Sequence, residues 1–355
     1  MNREVLRRAV LCLSSLSLGL GLLVGAEMLV RWGRPASLAT SRVHREHVFS
    51  EAYGWVPRPR TRGVWSNGKS FSINSSGYRG RALKGARPGV TRILVAGDSV
   101  AFGAGVDDTE TFAERLQAPG SRFEVANLAV SGYGTDQELL RLENEGLALD
   151  PDVVVLSICL FNDHVDNALD SYLHDPETPK PRYVVEGDDL VLRDEHLRRS
   201  WATQIGLRLE ENSHLFNALR LLVAPEARAA GPAPSREHWV ARRNHVLADF
   251  GPVADLSTRL VVRIARFWRG QGVAVLVLLH PDRETFEGDD RLVAPFEAAA
   301  VRASGARIVD LRRRYWDARL DFDQVAFDDV GHLTSTGHSV VAEILRSELG
   351  SGSVP

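Results

Sequence analysis

Short, unbroken apolar runs recur along the chain from residue 91 onward, and stretches of helical periodicity separate them. The runs predict strands at 92–96, 123–127, 153–160, 273–279 and 306–310. Val153-Val154-Val155-Leu156 and Val273-Ala274-Val275-Leu276-Val277-Leu278-Leu279 are continuous rather than alternating. That is the pattern of strands buried on both faces. Helices are predicted at 109–117, 134–147, 255–270, 289–304 and 335–349. Leu256, Leu260, Ile264 and Phe267 fall on one helical stripe, Gly270 and Gly272 end that helix, and Thr334 or Ser335 caps the last one. Strands that alternate with helices imply a parallel sheet with helices on both faces.

The rhythm breaks at 165–250. Tyr183 to Leu192, with Gly187-Asp188 in the middle, reads as a β-hairpin. Helical segments follow near 196–223 and 236–248, with a Gly/Pro/Ala-rich break at 224–235. The stretch is an insertion between the third and fourth strands. Insertions of this kind form lids and substrate walls or simple surface elaborations, and the sequence leaves both readings open.

The N-terminus has its own pattern. Arg3, Arg7 and Arg8 precede a mostly apolar stretch over 9–30, interrupted by Glu27. That is long enough to cross a bilayer as a helix. The basic flank favours a cytoplasmic stub at 1–8 with the rest exported, although Arg31 and Arg34 on the far side weaken that asymmetry. Val24-Gly25-Ala26 also fits a signal-peptide cleavage site. Leu11 before Cys12 does not fit a lipoprotein site. Anchor and cleaved signal both export the main domain to the periplasmic or extracellular face. Residues 31–90 carry Tyr53, Trp55, Trp65 and Phe71 among many Arg, Gly, Ser and Pro, which is too aromatic for a linker. They are expected to pack on the main domain at 91–350, with a turn at Asn74-Ser75-Ser76-Gly77.

Composition narrows the class. A net charge of −3 gives no electrostatic footprint for nucleic acid. Two cysteines, Cys12 and Cys159, cannot form a disulfide framework.

The chemistry-bearing residues fall at strand ends, where open α/β sheets bind ligands. Asp98-Ser99 follows the first strand, Ser131-Gly132 the second and Asn162-Asp163-His164 the third. Asp329 and His332 precede the last helix. Ser99 supplies a nucleophile, His332 a base, and Asp329, three residues earlier, an orienting acid. Asp328 adjoins it and is expected to be solvated. The backbone N–H groups of Ser99 and Gly132 and the Asn162 amide are the right kinds of oxyanion donor. Asp98, His164 and His280 are candidate substrate contacts, and His338 is expected to be structural. His164, Asp163 and Asp166 lack a second ligand group at metal-binding spacing.

Four blocks carry a family likeness: Ala96-Gly97-Asp98-Ser99-Val100-Ala101-Phe102-Gly103, Asn127-Leu128-Ala129-Val130-Ser131-Gly132-Tyr133-Gly134, Leu160-Phe161-Asn162-Asp163, and Asp329-Val330-Gly331-His332. Together they resemble the SGNH hydrolase (GDSL-like) superfamily over roughly 91–163 and 255–350, its four letters falling on Ser99, Gly132, Asn162 and His332. Residues 71–80 resemble a segment of membrane-anchored bacterial members. The resemblance implies a flavodoxin-like three-layer α/β/α sandwich with a mostly parallel five-stranded sheet, and no metal or organic cofactor. It also implies serine esterase chemistry on an ester-bearing small molecule, glycan or lipid. Leu160-Phe161 departs from the glycine that often precedes the Asn. Two other functions remain open: an O-acyltransferase for an exported glycan, and a non-catalytic tethered carbohydrate-binding module. Oligomeric state is not legible.

Overall fold

The computed structural model describes residues 3–33, 47–85, 88–198, 201–223 and 235–350. In chain order the elements that matter here are α1 (Arg3–Gly33), β1 (Thr91–Gly97), α2 (Ser99–Phe102), β2 (Phe123–Asn127), α3 (Thr135–Glu145), β3 (Val153–Cys159), α4 (Trp201–Asn212), α5 (His214–Val223), α6 (Arg236–Leu247), α7 (Phe250–Gly270), β4 (Ala274–His280), β5 (Arg307–Asp310) and α8 (Ser335–Gly350).

The five strands form one parallel sheet in the order β2-β1-β3-β4-β5. This is the flavodoxin-like order, with its topological switch between β1 and β3. Alternation along the strands sends side chains to two cores. Ile93, Val95, Val153, Val155, Leu276 and Leu278 point to one face, where Phe112, Leu116, Val341 and Leu345 cover them. Leu94, Val154, Leu156 and Val277 are equally buried on the other face, on the side of α3 and α7. Burial on both faces is why these strands read as continuous apolar runs. The fold is therefore a three-layer α/β/α sandwich.

The observed strands and helices track the expected ones, with one difference of substance. Only Ala299–Ser304 is helical within the expected 289–304. Pro295 sits inside that stretch; it lacks an N–H and disfavours helix in the residue before it, so turns replace the first half. The expected hairpin forms as Arg182–Glu186 against Asp189–Arg193. The break at 224–235 lies outside the described residues as far as 234.

The chain divides into two compact units, 1–48 with 199–233 and 49–198 with 234–355. The larger unit holds the sheet. Within it the segment before β1 braces the strand-end loops. Trp55 Nε1 donates to the Ser131 carbonyl at 3.1 Å, and Gln137 Nε2 donates to the Tyr53 carbonyl at 2.7 Å. Arg79 is buried and donates to the carbonyls of Phe102 (2.6 Å), Gly103 and Val106 (2.7 Å), and to Asp108 (3.1 Å). It thus closes the C-terminal end of α2.

Replacing Arg79 with Met leaves those carbonyls unpaired. Leaving a buried polar group unsatisfied costs about 1–3 kcal/mol. The urea midpoint, followed by tryptophan fluorescence, should fall accordingly.

Candidate active site

Strand β1 ends at Gly97, and α2 starts at once. A Cβ on Gly97 would lie 2.6 Å from Ala101 Cβ and 3.0 Å from Ser157 Cβ, so only glycine lets the short helix fold back over the strand end. Asp98 caps it, accepting from Val100 N at 2.8 Å. Ser99, the first helical residue, is left half-exposed at the tip.

His332 reaches Ser99 from the other end of the chain, with Nε2 2.8 Å from Oγ. Its Nδ1 lies 2.7 Å from Asp328 Oδ2. A carboxylate only accepts, so Nδ1 carries the proton of the neutral ring and Nε2 is free to accept from the serine hydroxyl. Burial pulls the His332 pKa down, but the Asp328 hydrogen bond and charge, with help from Asp98, leave it above the usual histidine value. The same contact overcomes burial at Asp328 and holds its carboxyl below the usual range.

The expectation of Asp329 is corrected here. Asp328 Oδ1 also accepts from Gly331 N (3.2 Å) and His332 N (3.1 Å), so the acid folds back over its own loop. Gly331 permits this with φ +101° and with no room for a Cβ, which would meet the Pro281 carbonyl at 2.5 Å. Asp329 is turned outward, to Arg283 Nε at 2.7 Å and Arg236 Nη2 at 3.1 Å.

Gly132 has φ +80°, and a Cβ there would lie 2.3 Å from the Tyr172 ring. That ring in turn packs on Trp55. Asn162 Nδ2 donates to Asp166 Oδ2 at 2.7 Å and also faces Asp163 Oδ1 at 3.4 Å. Asp98 neighbours Asn162, Ser99 and His332, so the strand-end residues of β1 and β3 meet the histidine loop.

The three candidate substrate contacts are also corrected. Asp98 is fully buried and spent on capping α2. His164 is fully buried; its Nδ1 is 2.9 Å from Ser257 Oγ and its Nε2 is 2.9 Å from the Leu292 carbonyl. Burial drives its pKa down to about 4. His280 is buried beside Phe112, and burial takes it to about 3. Both are neutral core residues. His338 is structural as expected, accepting from Phe112 N at 3.2 Å.

Beneath Asn162 lies a group of buried acids that sequence reading did not single out as a unit. Burial raises the pKa of Asp98, Asp136, Glu138, Asp163 and Asp166, the last to about 7. Mutual repulsion adds to the rise at Glu138 and Asp163. Lys180 is buried among them, paired with Asp136. The i, i+4 spacing of Asn162 and Asp166 was the one signal that they share a helical face. No group among the described residues has the arrangement of a metal site.

The model of the GDSL-like Lipase/Acylhydrolase family matches residues 95–340. No curated protein sequence matches the chain. Among solved structures, the chain is similar to TesA (15% identity, TM-score 0.40, covering 73% of this chain and 98% of that one). It is also similar to a lipolytic protein of the G-D-S-L family from Veillonella parvula (11%, 0.41, 74% and 100%). A third is Axe2, an acetylxylan esterase from Geobacillus stearothermophilus (14%, 0.34, 76% and 99%).

The geometry makes Asp328, not Asp329, responsible for the raised His332 pKa. Asp328→Asn should lower the His332 pKa measured by NMR titration of its ring, and Asp329→Asn should leave it in place.

Proposed function

This chain belongs to the GDSL-like lipase/acylhydrolase family, and on that premise we propose a serine-dependent ester hydrolase that works through an acyl-enzyme. It is a hydrolase acting on ester bonds. The observation that carries the serine mechanism is the continuous hydrogen-bonded line from Ser99 Oγ through His332 to Asp328.

In this mechanism His332 Nε2 takes the Ser99 proton as Oγ attacks the ester carbonyl. Asp328 fixes the ring tautomer and stabilises the imidazolium. The backbone N–H groups of Ser99 and Gly132 and the Asn162 amide receive the developing oxyanion. His332 then gives its proton to the leaving alcohol. In the second half it draws a proton from water, which attacks the acyl-Ser99 carbonyl and releases the acid. Asp166 supports this by holding the Asn162 amide in place.

The substrate class we assign is an acylated cell-envelope glycan or lipid. Support comes from the N-terminal helix. Its apolar part, Leu13–Gly33, is 21 residues long and would measure ~31 Å at helical rise, matching the hydrocarbon thickness of a bilayer. With Arg3, Arg7 and Arg8 held in the cytoplasm, the hydrolase is anchored and exported.

Ser99→Ala should reduce kcat/KM on p-nitrophenyl acetate and butyrate by about 10⁴-fold or more, with the fold retained by circular dichroism. Retained activity, or release of acyl groups from envelope glycan by the Ala variant, would overturn the serine mechanism. Since neutral His332 is the base, the rate should fall as pH drops through its raised pKa. Asp328→Asn should move that limb to lower pH and lower the plateau by about 10²–10⁴-fold.

A further inference from the structure

The smaller unit joins the N-terminal helix to the middle of the insertion. Ala26, Glu27 and Val30 are the half-exposed positions in the last turns of α1, whose other described side chains in 13–33 are exposed. They form the stripe along which α5 packs. Glu27 is the only acid in the apolar stretch, and its carboxylate is fully engaged. It accepts from Ser213 Oγ (2.8 Å), Leu215 N (2.9 Å) and His214 N (3.0 Å), with Arg31 Nε at 2.6 Å. The first-turn amides of α5, which have no intrahelical partner, are thus capped by a residue from α1.

The α4–α5 hairpin is built inside out for water. Asn217 is buried, 3% exposed, whereas Leu222 and Val223 are 77% and 85% exposed, and Ile205, Leu209 and Leu219 are exposed as well. Among the described side chains, Ser213, His214 and Asn217 are turned inward with Leu215 and Phe216, and the outward face carries these apolar residues together with Thr203 and Arg208. In hydrocarbon this polarity is the favourable one: polar side chains tie helices together, and a carboxylate is tolerated where donors surround it. On α1, Met28 and Leu29 are exposed as well. Length fixes the mode of entry. With 12 and 10 residues, α4 and α5 measure ~18 and ~15 Å, too short to cross. Glu27 lies six residues before Gly33, or ~9 Å from that end of the helix.

We propose that α4–α5 is a lipid-embedded hairpin that enters the leaflet at the Gly33 end of α1, with Glu27 as its latch. Acyl chains cover its outer leucine face. The inference rests on the anchor reading above. The hydrolase unit is then joined to the membrane unit by three chain connections, at 48/49, 198/199 and 233/234, rather than by a single tether.

The test uses the full chain reconstituted in vesicles of palmitoyl-oleoyl phosphatidylethanolamine and phosphatidylglycerol. Photoreactive benzoylphenylalanine replaces Leu222 in one preparation and the exposed Asp189 in another. Mass spectrometry should find at least roughly tenfold more phospholipid adduct at 222 than at 189, as burial in acyl chains requires. Glu27→Ala should bring the adduct at 222 down to the level at 189 while ester hydrolysis persists, and Glu27→Gln, which keeps an acceptor, should retain it. Membrane-retained protein without lipid adduct at 222, or with adducts to a second copy of the chain there, overturns the hairpin and leaves the anchor standing. Full adduct in Glu27→Ala overturns the latch. Release of the chain by alkaline carbonate overturns the anchor reading and the hairpin with it. Should Glu27→Ala lose hydrolysis as well, the adduct at Leu222 in the otherwise unaltered chain decides.

Discussion

The close approach at Gly97 is the constraint on which the site depends. Strand β1 lies beside β3, with Gly97 opposite Ser157, and the space a Cβ would fill is already taken by Ala101 and Ser157. Because nothing projects there, α2 turns back immediately and leaves Ser99 at the strand tip. The topological switch between β1 and β3 opens the crevice beside it. Parallel strands deliver the loops after β1 and β3 to the same edge, and the loop before α8 meets them. A residue separated from Ser99 by most of the sheet in sequence, His332, is brought to hydrogen-bonding distance by topology rather than by local structure.

Much of this was legible. The strands announced themselves as continuous apolar runs because both faces are buried, and Gly97-Asp98-Ser99 and His332 stood out because they sit where a β-to-α turn or a final helix begins. The orienting acid was not legible. Asp328 and Asp329 are adjacent, and the choice between them is made by Gly331, whose left-handed φ bends the loop so that the earlier acid caps His332 N and reaches Nδ1. Spacing along the chain cannot encode that bend. The destinations of His164 and His280 were equally hidden. A polar residue after a strand reads as a cleft residue, yet Ser257 and the Leu292 carbonyl, both far along the chain, draw His164 into the core.

The insertion is where sequence and structure diverge most in kind. Residues 165–250 read as one elaboration, lid or ornament. The structure divides the described ones: 165–198 and 235–250 stay with the sheet, and 201–223 goes with the N-terminal helix. Arg242 and Arg243 of α6 bond to Ser171, to backbone carbonyls of residues 172, 173 and 161, and to Asp282, so that part is tied to the segments that follow β3 and β4. The α4–α5 part exposes Ile205, Leu209, Leu219, Leu222 and Val223 instead. One insertion is thus shared between the two units.

The mechanism requires Ser99 as the nucleophile. The most direct measurement is labelling of the whole protein with a fluorophosphonate, followed by peptide mapping. A single phosphonyl adduct on Ser99, formed more slowly when Asp328 is replaced by Asn, is the predicted result. An adduct on another residue, or none from folded protein that still hydrolyses esters, would contradict it.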